Sequence, residues 1–233
     1  STKILTQICN FYEVEKLVFA SSCSVYGSND SIILNEESYL NPVSLYARTR
    51  IYSENYILDN CQSVSPTIMR LSTVFGFSPR MRYDLVVNTL LVRALRDNKF
   101  SVFGGDQWRP FVHCYDVARA FKMVIESDKN ITHNQVFNVG SDNMNFTIDQ
   151  IGQKVAQKMP DASFSTVEED VDKRNYRVSF SKISDILGFK NKFDIEMGLD
   201  EMVQKIGTDP KLLEYEDKIY SNFTHLKDSY DKQ

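Results

Sequence analysis

Lys16-Leu17-Val18-Phe19-Ala20-Ser21-Ser22 decides the fold. A short, continuous apolar run that closes on small polar residues reads as a strand buried on both faces of a parallel sheet. Before it, Ile4, Leu5, Ile8 and Phe11 recur at helical spacing, so residues 2–12 predict the end of a helix. After it, residues 28–43 are rich in Asn, Ser, Asp and Glu and predict a loop ending at Asn41-Pro42. A helix is expected from Ser44, a suitable N-cap, to Asn60. A second buried strand follows, Pro66-Thr67-Ile68-Met69-Arg70-Leu71-Ser72. Strand, helix, strand with continuous apolar strands is the crossover unit of a parallel sheet. Such sheets bind ligands outside the carboxyl ends of their strands, where Ser21-Ser22 and Ser72-Thr73 fall.

Further along, helices are expected over 84–97, 115–126 and 147–159, the last capped by Thr147. Strands are expected over 100–103, 135–139 and 163–167, with a turn at Gly104-Gly105-Asp106. Ser181–Leu187 and Leu199–Ile206 read as short helices, and the charged, aromatic tail 209–233 as one helix followed by disorder.

The 233 residues suffice for one large domain or two small ones with a real core. Basic residues number 27 and acidic ones 31, a net charge of −4, and no basic run occurs, so nucleic acid is not expected as a partner. The longest clean apolar run, Leu85–Leu91, is broken by Asn88 and is too short to span a bilayer. Ser1–Leu5 lacks a signal-peptide layout, so a cytoplasmic protein with no membrane partner is expected. The cysteines, Cys9, Cys23, Cys61 and Cys114, fit no zinc spacing and read as small reduced thiols. His113, His133 and His225 lie far apart, and no metal site is expected.

Three stretches carry the chemistry: Ser21-Ser22-Cys23-Ser24-Val25-Tyr26-Gly27, Tyr46-Ala47-Arg48-Thr49-Arg50 and Leu71-Ser72-Thr73-Val74-Phe75-Gly76. Four residues make about one helical turn, so Tyr46 and Arg50 share a face. A positive charge beside a phenol favours its ionised form, which suits proton transfer. A nearby serine hydroxyl can hydrogen-bond a substrate oxygen.

Residues 1–206 resemble the extended short-chain dehydrogenase/reductase family of nucleotide-sugar epimerases and dehydratases. The resemblance rests on ASSCSVYG (20–27), NPVSLYARTR (41–50), RLSTVFG (70–76), GGDQWRPFVHCYDVARA (104–120), FNVG (137–140) and YRVSFSKISDILGF (176–189), in this order. It implies an α/β fold: the C-terminal portion of a Rossmann-type parallel sheet, a partial doubly wound fold, plus a small α/β substrate-binding domain. Residues 1–79 with 111–140 would form the partial dinucleotide-binding domain, 80–110 with 141–207 the substrate-binding domain, and 208–233 a tail. It implies NAD or NADP as cofactor, a nucleotide-sugar substrate and a homodimer through the helix bearing Tyr46. In catalysis it implies Ser22 as hydrogen-bonding hydroxyl, Tyr46 as acid/base and Arg50 beside them. Ser21, Ser22, Tyr46, Arg50, Leu71, Ser72, Thr73 and Val74 would line the cofactor. Ser24, Asn88, Arg80, Arg82, Arg109 and Arg177 would contact substrate, since planar Arg donors suit a diphosphate.

The sequence departs from the family in two places. Arg50 replaces the family's Lys, and its fork and reach differ from an ammonium's. The glycine-rich turn that cradles the pyrophosphate is absent. By the resemblance the chain begins inside the helix before the family's fifth strand. A fragment with an open sheet edge and bare apolar faces is therefore expected. Dehydratases tend to carry Asp-Glu where Cys23-Ser24 stands, which points instead to 4-epimerisation or keto-sugar reduction. Alternation along a strand would turn Cys23 away from the face shared by Ser22 and Ser24. The alternative to an enzyme is a noncatalytic relative that binds a sugar nucleotide or a partner protein.

Overall fold

The computed structural model describes residues 1–168, 174–222 and 224–225. In chain order its elements begin with α1 (Thr2–Phe11), β1 (Lys16–Ser22), β2 (Ser28–Leu34), α2 (Leu45–Asn60), β3 (Ser65–Leu71), β4 (Thr73–Phe75) and α3 (Val86–Asp97). Next come β5 (Lys99–Phe103), β6 (Trp108–His113), α4 (Cys114–Glu126), α5 (Lys129–Thr132), β7 (Gln135–Val139) and β8 (Asn145–Thr147). The last are α6 (Ile148–Lys158), β9 (Ser163–Val167), β10 (Asn175–Val178), α7 (Ser181–Leu187) and α8 (Ile195–Gly207). They fall into two compact units. One comprises Ser1–Thr73, Trp108–Asn145 and Lys173–Lys192; the other comprises Val74–Gln107, Phe146–Asp172 and Phe193–Gln233.

The first unit is built on a parallel sheet of order β1-β3-β7. Ser22 pairs with Leu71, and Leu71 with Val139, so the three strands end level. The central strand β3 is buried from Ser65 to Arg70. Helix α2 packs on β1 and β3, α4 on β1, and α7 on β7. Strand β1 departs from expectation: Leu17, Val18 and Phe19 are only half-buried and Ala20 is exposed. The cause is topological. Among the described residues β1 pairs with β3 alone.

Residues 28–34 form strand β2, not the expected loop, and pair in parallel with β10. Their polar start hid them, and of their apolar residues only Leu34 is buried while Ile32 and Ile33 stay exposed. Strands β6 and β10 were also unmarked, because Arg109, Pro110 and Asn175 break the apolar pattern. Yet β6 is buried from Arg109 to His113. His113 caps α4, its Nδ1 accepting the Tyr115 N–H at 3.3 Å.

In the second unit α3, α6 and α8 pack on one another, and α3 and α6 lie on the parallel pair β5-β9. Thr147 and Gln150 complete a reciprocal capping box at the start of α6. Phe100 and Phe164 stack at 5.1 Å between centroids. The tail forms two 3-10 turns, Pro210–Leu213 and Lys218–Tyr220, where one helix was expected. They are anchored by Tyr83, whose hydroxyl donates to the Leu212 carbonyl at 2.6 Å. The disorder expected at 226–233 lies outside the described residues.

Gly27 ends the segment that follows β1 with φ +69°, and a Cβ there would meet the Asn41 carbonyl oxygen at 1.5 Å. Two demands converge on it, a left-handed backbone and a close chain approach. Gly27→Ala is expected to lose at least about 1–2 kcal/mol from the backbone alone, and more from the clash. A urea titration monitored by circular dichroism checks it; an unchanged midpoint contradicts the assignment.

Candidate active site

Strand β1 stops at Ser22 because the Ser22 hydroxyl accepts the Ser24 N–H at 3.2 Å and starts a 3-10 turn, Cys23–Tyr26. Strand alternation, expected to carry on through Cys23 and Ser24, therefore stops at Ser22. Cys23 and Ser24 lie in that turn, and both are buried, at 0% and 3% exposure. Cys23 Sγ donates to the Arg70 carbonyl at 3.2 Å. Desolvation holds its thiol far above the ordinary range, so it is no acid/base at neutral pH. Ser24 Oγ is buried with no hydrogen-bond partner.

Helix α2 begins at Ser44, whose hydroxyl accepts the Ala47 N–H at 3.2 Å. It packs on β1 and on the turn after Ser22. Tyr46, Arg50 and Glu54 recur every four residues and so form a column along one side. Tyr46 is 50% exposed and Ser22 is half-buried, so neither is sealed in the interior. The Arg50 guanidinium carbon lies 4.9 Å from the Tyr46 ring centroid and 5.6 Å from that of Phe19. Its Nη1 donates to the Ala20 carbonyl at 3.2 Å.

Beneath Arg50 lies a buried polar network. Glu54 accepts the Ser21 hydroxyl and two prongs of Arg70, Nε at 3.2 Å and Nη2 at 2.8 Å. Arg70 Nη1 donates to the Tyr26 hydroxyl at 3.1 Å, which donates to Asn138 Oδ1 at 2.8 Å. The Asn138 N–H donates to the Glu36 carboxylate at 2.7 Å. Desolvation pushes the Tyr26 phenol well above its ordinary range despite the opposing Arg70 charge, so Tyr26 stays a neutral donor. The network joins α2, β1, β3 and β7. Glu54, Tyr26 and Asn138 were not anticipated. The available signals were an Arg inside a buried strand, which demands an anion, and a Glu two turns past Tyr46.

The other expected site residues divide by unit. In the first, Ser72 is buried and donates to the Val139 carbonyl at 2.8 Å, between half-buried Leu71 and Thr73. Arg109 is buried, donates to the Trp108 carbonyl at 2.8 Å and stacks 5.6 Å from the Tyr176 centroid. Arg177 lies 5.2 Å from the Trp108 centroid. The two arginines and two aromatics thus gather where β10 packs on β6. In the second unit, half-buried Val74 follows the strand end. Asn88 clamps its own loop, accepting the Gly76 N–H at 3.3 Å and donating to the Arg82 carbonyl at 3.0 Å. Arg82 spends Nε and Nη2 on Asp84, and Arg80 donates to Asn222 at 2.7 Å.

The NAD dependent epimerase/dehydratase family model matches residues 1–140. The chain belongs to this family. An uncharacterized protein of Methanocaldococcus jannaschii is 29% identical, covering 81% of this chain and 58% of its own length. The UDP-glucose 4-epimerase of Lactobacillus helveticus is 27% identical, covering 59% of this chain and 47% of the relative. The crystal structure of the Bacillus cereus UDP-glucuronic acid 4-epimerase, in complex with UDP-glucuronic acid and NAD, superposes with a TM-score of 0.78 at 25% identity. That match covers 89% of this chain and 66% of that one. The chain thus spans less than two thirds of the length of the curated relatives it matches.

Two stability predictions follow from the network. Arg70→Met leaves the Glu54 carboxylate buried and unpaired, which is expected to cost about 3–5 kcal/mol. Removing both charges, as Glu54→Gln with Arg70→Met, is expected to cost less than Arg70→Met alone. Urea titrations of both variants check the order. Cys23 and Tyr26 hold their protons more tightly folded than unfolded, so their contribution is complete below the ordinary thiol and phenol values, about 8.5 and 10. It is lost as pH rises above those values. The urea midpoint is expected to fall on alkaline titration, less steeply in Tyr26→Phe; parallel curves contradict this.

Proposed function

We propose that this chain is the carboxyl-terminal part of an NAD-dependent nucleotide-sugar 4-epimerase. The observation that carries this reading is the Tyr46–Arg50–Glu54 column locked to the carboxyl end of β1, next to Ser22, in a chain of this family. The relative bound to NAD and UDP-glucuronic acid supports the ligand classes. The residues present suit the nicotinamide end of the cofactor: Ser24 Oγ is buried and unpartnered, and Tyr46 is half open. Bound NAD supplies the hydride acceptor and returns the hydride. Tyr46 removes the proton of the sugar hydroxyl at its Oη and later gives it back. Ser22 donates a hydrogen bond to the same sugar oxygen.

Arg109 and Arg177, set between Trp108 and Tyr176, are the diphosphate ligands in this reading. Arg82, neutralised by Asp84, and Asn88 shape their loop. Arg80 donates to Asn222. Cys23-Ser24 in place of Asp-Glu favours epimerisation over 4,6-dehydration. Ile4, Ile8 and Phe11 on α1, with Leu45 and Tyr52 on α2, are exposed apolar residues that suit a second copy of the chain. Phe11→Asp with Tyr52→Asp is expected to halve the mass seen by light scattering.

The test is turnover. The full protein, supplied with NAD and UDP-glucose, is expected to form the C4 epimer, followed by proton NMR of the sugar. Tyr46→Phe is expected to slow it about 10²–10⁴-fold with UDP-glucose affinity little changed. Equal turnover in Tyr46→Phe refutes the assignment. Binding without any turnover in the unaltered protein supports the noncatalytic alternative, which the engagement of Arg50 within the chain favours.

A further inference from the structure

Arg50 occupies the position where the family has a lysine, and its surroundings define a different task. Its guanidinium carbon lies over two rings, that of Tyr46 of its own helix at 4.9 Å and that of Phe19 of β1 at 5.6 Å. One N–H reaches the Ala20 carbonyl of the same strand at 3.2 Å. Ala20 precedes the Ser21-Ser22 pair, and Ser21 is itself tied to Glu54, one turn past Arg50. The plane of the guanidinium therefore links a ring on the helix to the strand that carries Ser22. A lysine ammonium would be a flexible point charge there, without the fixed fork of the guanidinium.

We propose that Arg50 is a positioning residue, a strut that fixes the Tyr46 ring against the end of β1, and not a ligand of the cofactor's ribose. Stacking on the ring face and the bond to the strand carbonyl act together. The ring tilt of Tyr46 is then set by the protein before any ligand arrives. The proposal builds on the reading of Tyr46 as the proton-transfer group, but the strut exists whether or not that reading holds.

The experiment labels the full protein with 3-fluorotyrosine, assigns the Tyr46 fluorine line through Tyr46→Phe, and compares Arg50→Lys and Arg50→Gln. Arg50 is not in the buried core, so both variants are expected to fold. In both, the Tyr46 line is expected to shift and broaden while most other tyrosine lines stay in place. NADH affinity, read by fluorescence titration, is expected to stay within about twofold. A Tyr46 line that does not move in either variant overturns the strut. So does an Arg50→Gln protein with about tenfold weaker NADH binding that Arg50→Lys restores, since that marks a ribose ligand. An unaltered protein that binds no NADH counts against the proposed function, and the fluorine line still decides the strut.

Discussion

The buried pair of Glu54 and Arg70 is the constraint on which the first unit depends. Neither charge can be left alone in the interior, so helix α2 and strand β3 must meet in one register. Ser21 joins the same carboxylate, which brings in β1. Tyr26 and Asn138 extend the chain of bonds to β7. Few alternative packings satisfy all these groups at once, and a network of this kind favours one arrangement over many. Such a pair contributes less to net stability than to the choice of a single structure.

That choice has a chemical side. Residues one and two turns before Glu54 inherit its placement, so Arg50 and Tyr46 are set relative to the strand end. Tyr46 stays exposed and Ser22 half-buried, while Ser21, Glu54 and Arg70 are buried. Rigidity below and access above is the arrangement that a proton-transfer site needs.

Much of this was legible in the sequence. Apolar runs marked β1 and β3, Gly140 marked the end of β7, and a capping serine and threonine marked α2 and α6. The exceptions share a physical cause. Strand β2 begins with four polar residues, and β6 contains Arg109 and Pro110, so neither shows an apolar period. Their pairing is decided by distant chain, as β2 with β10 shows. Local pattern put Ser22 at a strand end and Tyr46 early in a helix, as β1 and α2 have them, whereas the Glu54–Arg70 contact depends on helix rotation, which spacing alone does not determine. Strand alternation does not reach Cys23, because the Ser22 hydroxyl caps a 3-10 turn that starts there.

Strand β1 has a neighbour on one side only among the described residues, and its apolar side chains are half covered. Such an edge is adhesive: its outward amides and carbonyls can template another strand. Arg50 donates to the Ala20 carbonyl of this strand and places a charge over Phe19. A charge held against a strand in this way weakens its tendency to pair with another.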